Sequence, residues 1–73
     1  MARIEVKSEI SGSVWKILLQ PGDRVQEEEP IMILESMKME IPVMAPDAGT
    51  LREIAVQEGD AVAEGSLVAV IDA

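Results

Sequence analysis

Three lysines occur in this 73-residue chain, Lys7, Lys16 and Lys38, and only Lys38 sits where the residue pattern predicts the tip of a turn. It lies within Glu35-Ser36-Met37-Lys38-Met39-Glu40, between two apolar segments, Ile31-Met32-Ile33-Leu34 and Ile41-Pro42-Val43-Met44. If 31–36 and 39–44 pair as antiparallel strands, Met37 and Lys38 become a two-residue hairpin tip. Such tips prefer Asn-Gly, Asp-Gly or a Gly pair, and none is present. The implied register sets Ser36 opposite Met39, Glu35 opposite Glu40 and Leu34 opposite Ile41. Two carboxylates facing each other give up roughly 0.2–1 kcal/mol that opposite charges would contribute. One short segment thus breaks two local rules, and an otherwise consistent sequence tends to break such rules at functional sites. The chemistry available there is that of a primary amine. On a flexible stem lifted by a rigid hairpin, it is suited to covalent attachment of a carried group.

Composition removes most other chemistry. The chain has no Cys and no His, which excludes zinc sites, thiol redox chemistry and nucleophile–His pairs. Six basic and 14 acidic residues give a net charge of −8, which repels a phosphate backbone. Trp15 is the one aromatic residue, so a base-stacking platform is missing too. The N-terminal residues carry charge where a signal peptide is apolar. The longest apolar runs, 31–34 and 67–71, are far shorter than the ~20 residues that cross a bilayer. The expectation is a cytoplasmic domain that binds no nucleic acid, membrane or metal and performs no catalysis of its own. The length allows a single domain, 1–73, and the initial Met with compact ends points to a free-standing subunit.

The elements that must position Lys38 are written twice. Shifted by 37 positions, residues 12–35 lie over 49–72 without a gap, with identities at 7 of 24 positions. These are Gly12/Gly49, Ile17/Ile54, Gln20/Gln57, Gly22/Gly59, Asp23/Asp60, Val25/Val62 and Glu27/Glu64. Two copies are too few for a solenoid and fit closure around a pseudo-twofold axis. Gly22 and Gly59 suit turn positions with positive φ, and Pro21 presets φ for its turn. Gly12 and Gly49 are read as structural. The closing segments 31–34 and 67–71 read as short buried strands. In 39–44, Ile41 and Val43 point one way and Glu40 and Pro42 the other, with Pro42 suited to an edge or a solvent-facing side. Ile4, Val6 and Ser8 alternate with Glu5, Lys7 and Glu9 in the same manner. Trp15 falls on the first copy's opening strand where Arg52 replaces it in the second. Partial burial is expected there, with a docking surface as the alternative. Glu27-Glu28-Glu29 reads as a solvated loop.

Residues 27–40 are rich in helix formers, but the matching 67–71 is β-branched and too short for a helix. Symmetric copies share a conformation, so the all-β reading prevails. Short strands with Gly-marked turns point to a small sandwich or flattened barrel.

Glu35-Ser36-Met37-Lys38-Met39 resembles the attachment motif of biotinyl domains, Glu-Ala-Met-Lys-Met, with Ser36 for the alanine. Ala45-Pro46-Asp47-Ala48-Gly49 is similar to that family's strand junction, and the resemblance covers essentially the whole chain. Ser8-Glu9-Ile10-Ser11-Gly12 departs from the corresponding first junction, and no thumb-like insertion lies between Val14 and Gly22. The resemblance implies a flattened barrel-sandwich of two four-stranded antiparallel sheets, related by a quasi-twofold axis, with repeat halves of about 12–35 and 49–72. It implies biotin as the cofactor, joined to Lys38, with Glu35, Ser36, Met37, Met39 and Glu40 as ligase and partner recognition elements.

It also implies the partners. A biotin protein ligase presents biotin as an acyl-adenylate to the Lys38 amine, and amide formation takes the net charge from −8 to −9. A biotin carboxylase then loads the carried group with CO2, and a carboxyltransferase unloads it onto an acceptor, for which an acyl-CoA is expected. Tethering raises the effective concentration of the group at each partner to roughly millimolar. Two alternatives stay open. A lipoyl carrier shares the fold, although its tip reads Asp-Lys-Ala rather than Met-Lys-Met. An unmodified adaptor domain with this barrel carries long helical insertions at the hairpin, which this sequence lacks.

Overall fold

A reciprocal clamp between the two halves organises the molecule. A computed structural model describes residues 2–73, which form eight β-strands and no helix. The strands are β1 (Arg3–Lys7), β2 (Gly12–Ile17), β3 (Arg24–Val25), β4 (Pro30–Ser36), β5 (Met39–Met44), β6 (Gly49–Ile54), β7 (Ala61–Val62) and β8 (Leu67–Asp72). They pair antiparallel into two four-stranded sheets, β1-β8-β6-β3 and β5-β4-β2-β7. The 37-residue shift converts one sheet into the other, strand for strand, with β3 and β7 changing places. The expected all-β sandwich is present, and residues 27–40 are not helical.

Gln20-Pro21-Gly22-Asp23 closes with the Asp23 N–H donating to Gln20 O (3.0 Å), and Gly22 has φ of +98°. Positive φ at the third residue is the type II pattern, which glycine adopts without steric penalty. Asp23 Oδ2 accepts from the Gln20 N–H (2.9 Å), and Asp60 serves Gln57 at the same distance. Each turn then reaches the opposite half. The Gly22 N–H donates to Leu51 O (2.7 Å), and the Leu51 N–H donates to Asp23 O (2.8 Å). Gly59, Val14 and Asp60 repeat both bonds at 2.7 and 2.8 Å. The repeated Gly-Asp pairs are therefore fasteners between halves as well as local turns.

The junctions behave alike despite their different residues. Ala45 exchanges backbone bonds with Glu28 and Glu29, and Ser8 does so with Gly65 and Ser66. Both Ala45 and Ser8 are buried, and the Ser8 hydroxyl donates to Ile10 O at 2.6 Å, which satisfies a polar group that alanine would not bring.

The core between the sheets is aliphatic, with Val14, Ile31, Met32, Leu34, Leu51 and Ile71 almost without exposure. Strand alternation supplies it: on the inner face Val6 and Val43 are buried and Ile4 and Ile41 half-buried, while Glu5 and Pro42 are exposed. β5 is an edge strand, the position its proline requires.

In the acidic run 27–29, Glu27 and Glu28 are exposed, as expected, and Glu29 is half-buried, so the run is more than a solvated loop. Glu29 Oε1 caps the Gln26 N–H (2.9 Å), and Glu28 has φ of +68°, where the other half has Gly65 at +88°. A non-glycine residue there costs about 1–2 kcal/mol, partly offset by glycine's greater freedom in the unfolded chain. Glu28→Gly should therefore raise the melting temperature by roughly 3–6 °C, measured by thermal denaturation; a lower melting temperature would show that the Glu28 side chain itself holds the turn.

Candidate functional site

The hairpin of β4 and β5 forms in the register that the residue pattern implies. Ser36 faces Met39, Glu35 faces Glu40 and Leu34 faces Ile41. Met37 and Lys38 are the two tip residues, with φ of +52° and +65°. Positive φ at both positions is the type I′ arrangement, whose twist matches that of the flanking strands. The strands win the contest with local preference: β4 is buried at Ile31, Met32 and Leu34, so its pairing fixes the tip whatever residues occupy it. Neither tip residue has the side chain that eases this conformation, so the backbone carries a cost of about 1–2 kcal/mol per residue. Strain of this kind persists where the surroundings over-determine it.

The strain holds a long amine at the apex. Lys38 is exposed, and the two ion pairs among the described residues, Lys7–Glu5 (3.9 Å) and Arg52–Asp72 (3.1 Å), do not involve it. Met37 is 92% exposed and Met39 61%, a large apolar surface for a turn with no core to fill. A concavity of about 170 Å³ opens between β5 and residues 6–10, lined by Val6, Ile10, Leu34, Ile41 and Val43, and residues 37–39 are not part of it. The arrangement offers an amine to another molecule. Among the described residues no group of three or more acidic side chains is placed to hold a metal ion.

The flanking residues divide by face. Glu35 and Glu40 are exposed and opposed on the outer face of the sheet. Ser36 turns inward and its hydroxyl donates to Ser11 O (2.9 Å), while Ser11 Oγ accepts from the Glu64 N–H (3.1 Å). The base of the hairpin is thereby tied to the loop before β2, and that loop to the turn before β8. The motif shows only a small residue at position 36, and nothing in its spacing announces this tether. The repeat relation gives the other end of the molecule a matching rung. There Ala2 and Ala73, 37 positions from Met39 and Ser36, exchange backbone hydrogen bonds at 3.2 and 2.8 Å.

A family model described as "Biotin-requiring enzyme" matches residues 4–71. The chain belongs to this biotin/lipoyl attachment family. Within the family it is similar to the biotin/lipoyl attachment protein of Bacillus subtilis (strain 168), with 40% identity over 63 residues and 86% of each chain covered. It is similar to the biotinylated protein TB7.3 homolog of Mycobacterium leprae (strain TN), with 42% identity over 67 residues, 92% of this chain and 94% of that one. Among solved structures, the Kluyveromyces lactis urea carboxylase superposes with a TM-score of 0.93 and 36% identity over 99% of this chain. That match spans only 6% of the carboxylase. A biotin/lipoyl domain thus occurs both at this chain's size and as a small part of a large enzyme.

Proposed function

We propose that this biotin/lipoyl-family domain is a biotin carboxyl carrier, modified at Lys38 and itself non-catalytic. The observation that carries the reading is the exposed Lys38 amine at the apex of a strained two-residue hairpin, between two exposed methionines. Nζ attacks the carbonyl of the acyl-adenylate, and the ligase takes up the proton that the nitrogen sheds. The C–N bond forms, the acyl–phosphate bond breaks, AMP leaves and one cationic site is lost. Bound there, biotin supplies a ureido nitrogen that carries CO2. The protein's share is to hold the attachment point away from the barrel, in a fixed direction, while the arm moves.

Met37 and Met39 offer soft, adaptable apolar contact to the ligase and to later partners, and Glu35 and Glu40 offer charge. Ser36 positions the hairpin rather than touching a partner. The partners are a biotin protein ligase, a biotin carboxylase and a carboxyltransferase. An acyl-CoA is the expected acceptor and urea the alternative offered by the similar carboxylase domain, with the choice made in the transferase. A lipoyl carrier is the second reading, favoured by the similarity to a protein named for both groups. The Met-Lys-Met tip supports biotin over it.

Intact mass of the protein produced with a biotin ligase, and separately with a lipoyl ligase, tests the assignment. One biotin adduct per chain, mapped to Lys38, is the expected result. A lipoyl adduct without a biotin adduct would overturn it.

A further inference from the structure

The two sheets differ sharply on their outer faces. On the β1-β8-β6-β3 sheet, Val70 is fully buried although it is not part of the core between the sheets. Its neighbours across the strands are Glu5 and Glu53, and the face is laced by the Arg52–Asp72 and Lys7–Glu5 ion pairs. Long ionic side chains therefore roof this face without help from another molecule.

The equivalent positions of the hairpin-bearing sheet, 37 residues earlier or later, have lost most of that roof, with Lys16 in place of Glu53 the long ionic side chain that stays beside Ile33. Ile33 stands for Val70 and is only half-buried. Pro42 stands for Glu5, Met44 for Lys7 and Trp15 for Arg52. Ile33 faces Pro42 on one side and Lys16 on the other. Trp15 occupies the bulge between Val14 and Lys16, as Arg52 does between Leu51 and Glu53. Trp15 and Met44 are each half exposed. At the rung toward the tip, Asp72 and Arg3 face each other on one sheet, and Glu35 and Glu40 face each other on the other. A self-covered ionic face has thus become an open apolar stripe below an unpaired acidic rung, on the sheet that carries Lys38. By strand rise the stripe begins about 13 Å below the tip.

Resting on the carrier reading above, we propose that the Trp15–Ile33–Pro42 stripe is the surface by which the domain docks on the biotin carboxylase, through an apolar pocket for Trp15 rimmed by arginine or lysine that meets Glu35 and Glu40. Charge decides against a second copy as the occupant: two chains of −8 would bring their acidic rungs together. In this division of the recognition elements the ligase takes the amine through Met37 and Met39 at the tip, and the charge of Glu35 and Glu40 serves the later partner. An enzyme acting on the carried ring must grip the domain while the arm reaches inward, and a hold on the outer face below the tip leaves Lys38 free. A buried tryptophan flanked by charge is the usual composition of an energetic hot spot.

The repeat supplies a variant that keeps the fold. Trp15→Arg copies Arg52 and places a cation near Glu35, as Arg52 is placed near Asp72. Titration calorimetry of the biotinylated protein against the purified biotin carboxylase of the same organism should show affinity weakened about tenfold or more for Trp15→Arg, with the melting temperature and the rate of ligase-driven biotinylation unchanged. Trp15, the one tryptophan, should shift its emission to shorter wavelength when the wild-type complex forms. Unchanged affinity overturns the proposal. So does a parallel fall in biotinylation rate, which would give the face to the ligase, a loss of affinity seen with the carboxyltransferase and not with the biotin carboxylase, which would give it to the transferase, or sedimentation of the wild type as a dimer that Trp15→Arg dissociates. A wild-type chain that accepts no biotin fails the carrier reading instead, before any docking is measured.

Discussion

Lys38→Arg should give a protein that melts as the wild type does and carries no biotin. The side chain is exposed at the tip and outside both ion pairs, so arginine, similar in length and charge, has no contact to lose. A surface change of that kind is expected to alter stability by no more than about 0.5 kcal/mol. Chemically the two residues are not equivalent. A lysine amine can shed its proton to a ligase and become a nucleophile, whereas guanidinium stays charged under all conditions a protein meets. Streptavidin blotting and intact mass should therefore report complete loss, not a reduced rate. Lys7→Arg and Lys16→Arg should leave the adduct intact, because neither lysine lies on the hairpin tip. Residual biotin on Lys38→Arg would mean that the ligase reads a site elsewhere. Unfolding of the variant would mean that the Lys38 side chain is structural.

The tip was legible in the sequence because three independent signals met there: apolar strands of period two, a rung of opposed carboxylates, and a lysine where turn residues belong. Period-two alternation leaves little choice of register once one face is buried, and Ile41, Val43, Leu34 and Val6 take the faces that alternation assigns. The 37-residue repeat likewise carried the two-sheet topology, since two copies that cannot each bury a face must bury them together. What the sequence concealed lies in contacts between distant backbone groups. The clamp of Gly22 on Leu51 and Gly59 on Val14 joins atoms with no side-chain signature. Ser36 bonds a carbonyl 25 residues away, so a spacing argument within the motif cannot find it. Trp15 shows the same limit in another form. Alternation within β2 leaves its direction open because a bulge at that residue interrupts the alternation. It is half exposed, less covered than burial on a regular strand would make it. Position 52 of the other copy, an arginine, was the available clue that this site faces outward.

The second large effect is expected at Gly12, which the repeat marks without explaining. Gly12 opens β2 and lies against the end of β4: a Cβ built on it would sit 2.5 Å from Glu35 O and 3.2 Å from Ser36 Cβ. The backbone there can yield only by moving the strand that leads into the hairpin. Gly22 is the useful contrast, because a Cβ there meets nothing within 4 Å and its requirement is the positive φ alone. Gly12→Ala should cost about 3 kcal/mol through overpacking against backbone. That is a large share of the roughly 7 kcal/mol expected for a chain this short, and it should lower the melting temperature by roughly 12–24 °C. Gly22→Ala should cost about 1–2 kcal/mol by comparison. The two variants also separate in function. Displacing Glu35 and Ser36 moves the rungs that set the Lys38 tip and strains the Ser36–Ser11 bond, so Gly12→Ala should slow biotinylation at a temperature where it is still folded. Gly22→Ala, remote from the hairpin, should be biotinylated at the wild-type rate under the same conditions. A melting temperature for Gly12→Ala within a few degrees of wild type would show that β2 and β4 part freely, and the rigid support inferred for the attachment hairpin would have to be abandoned.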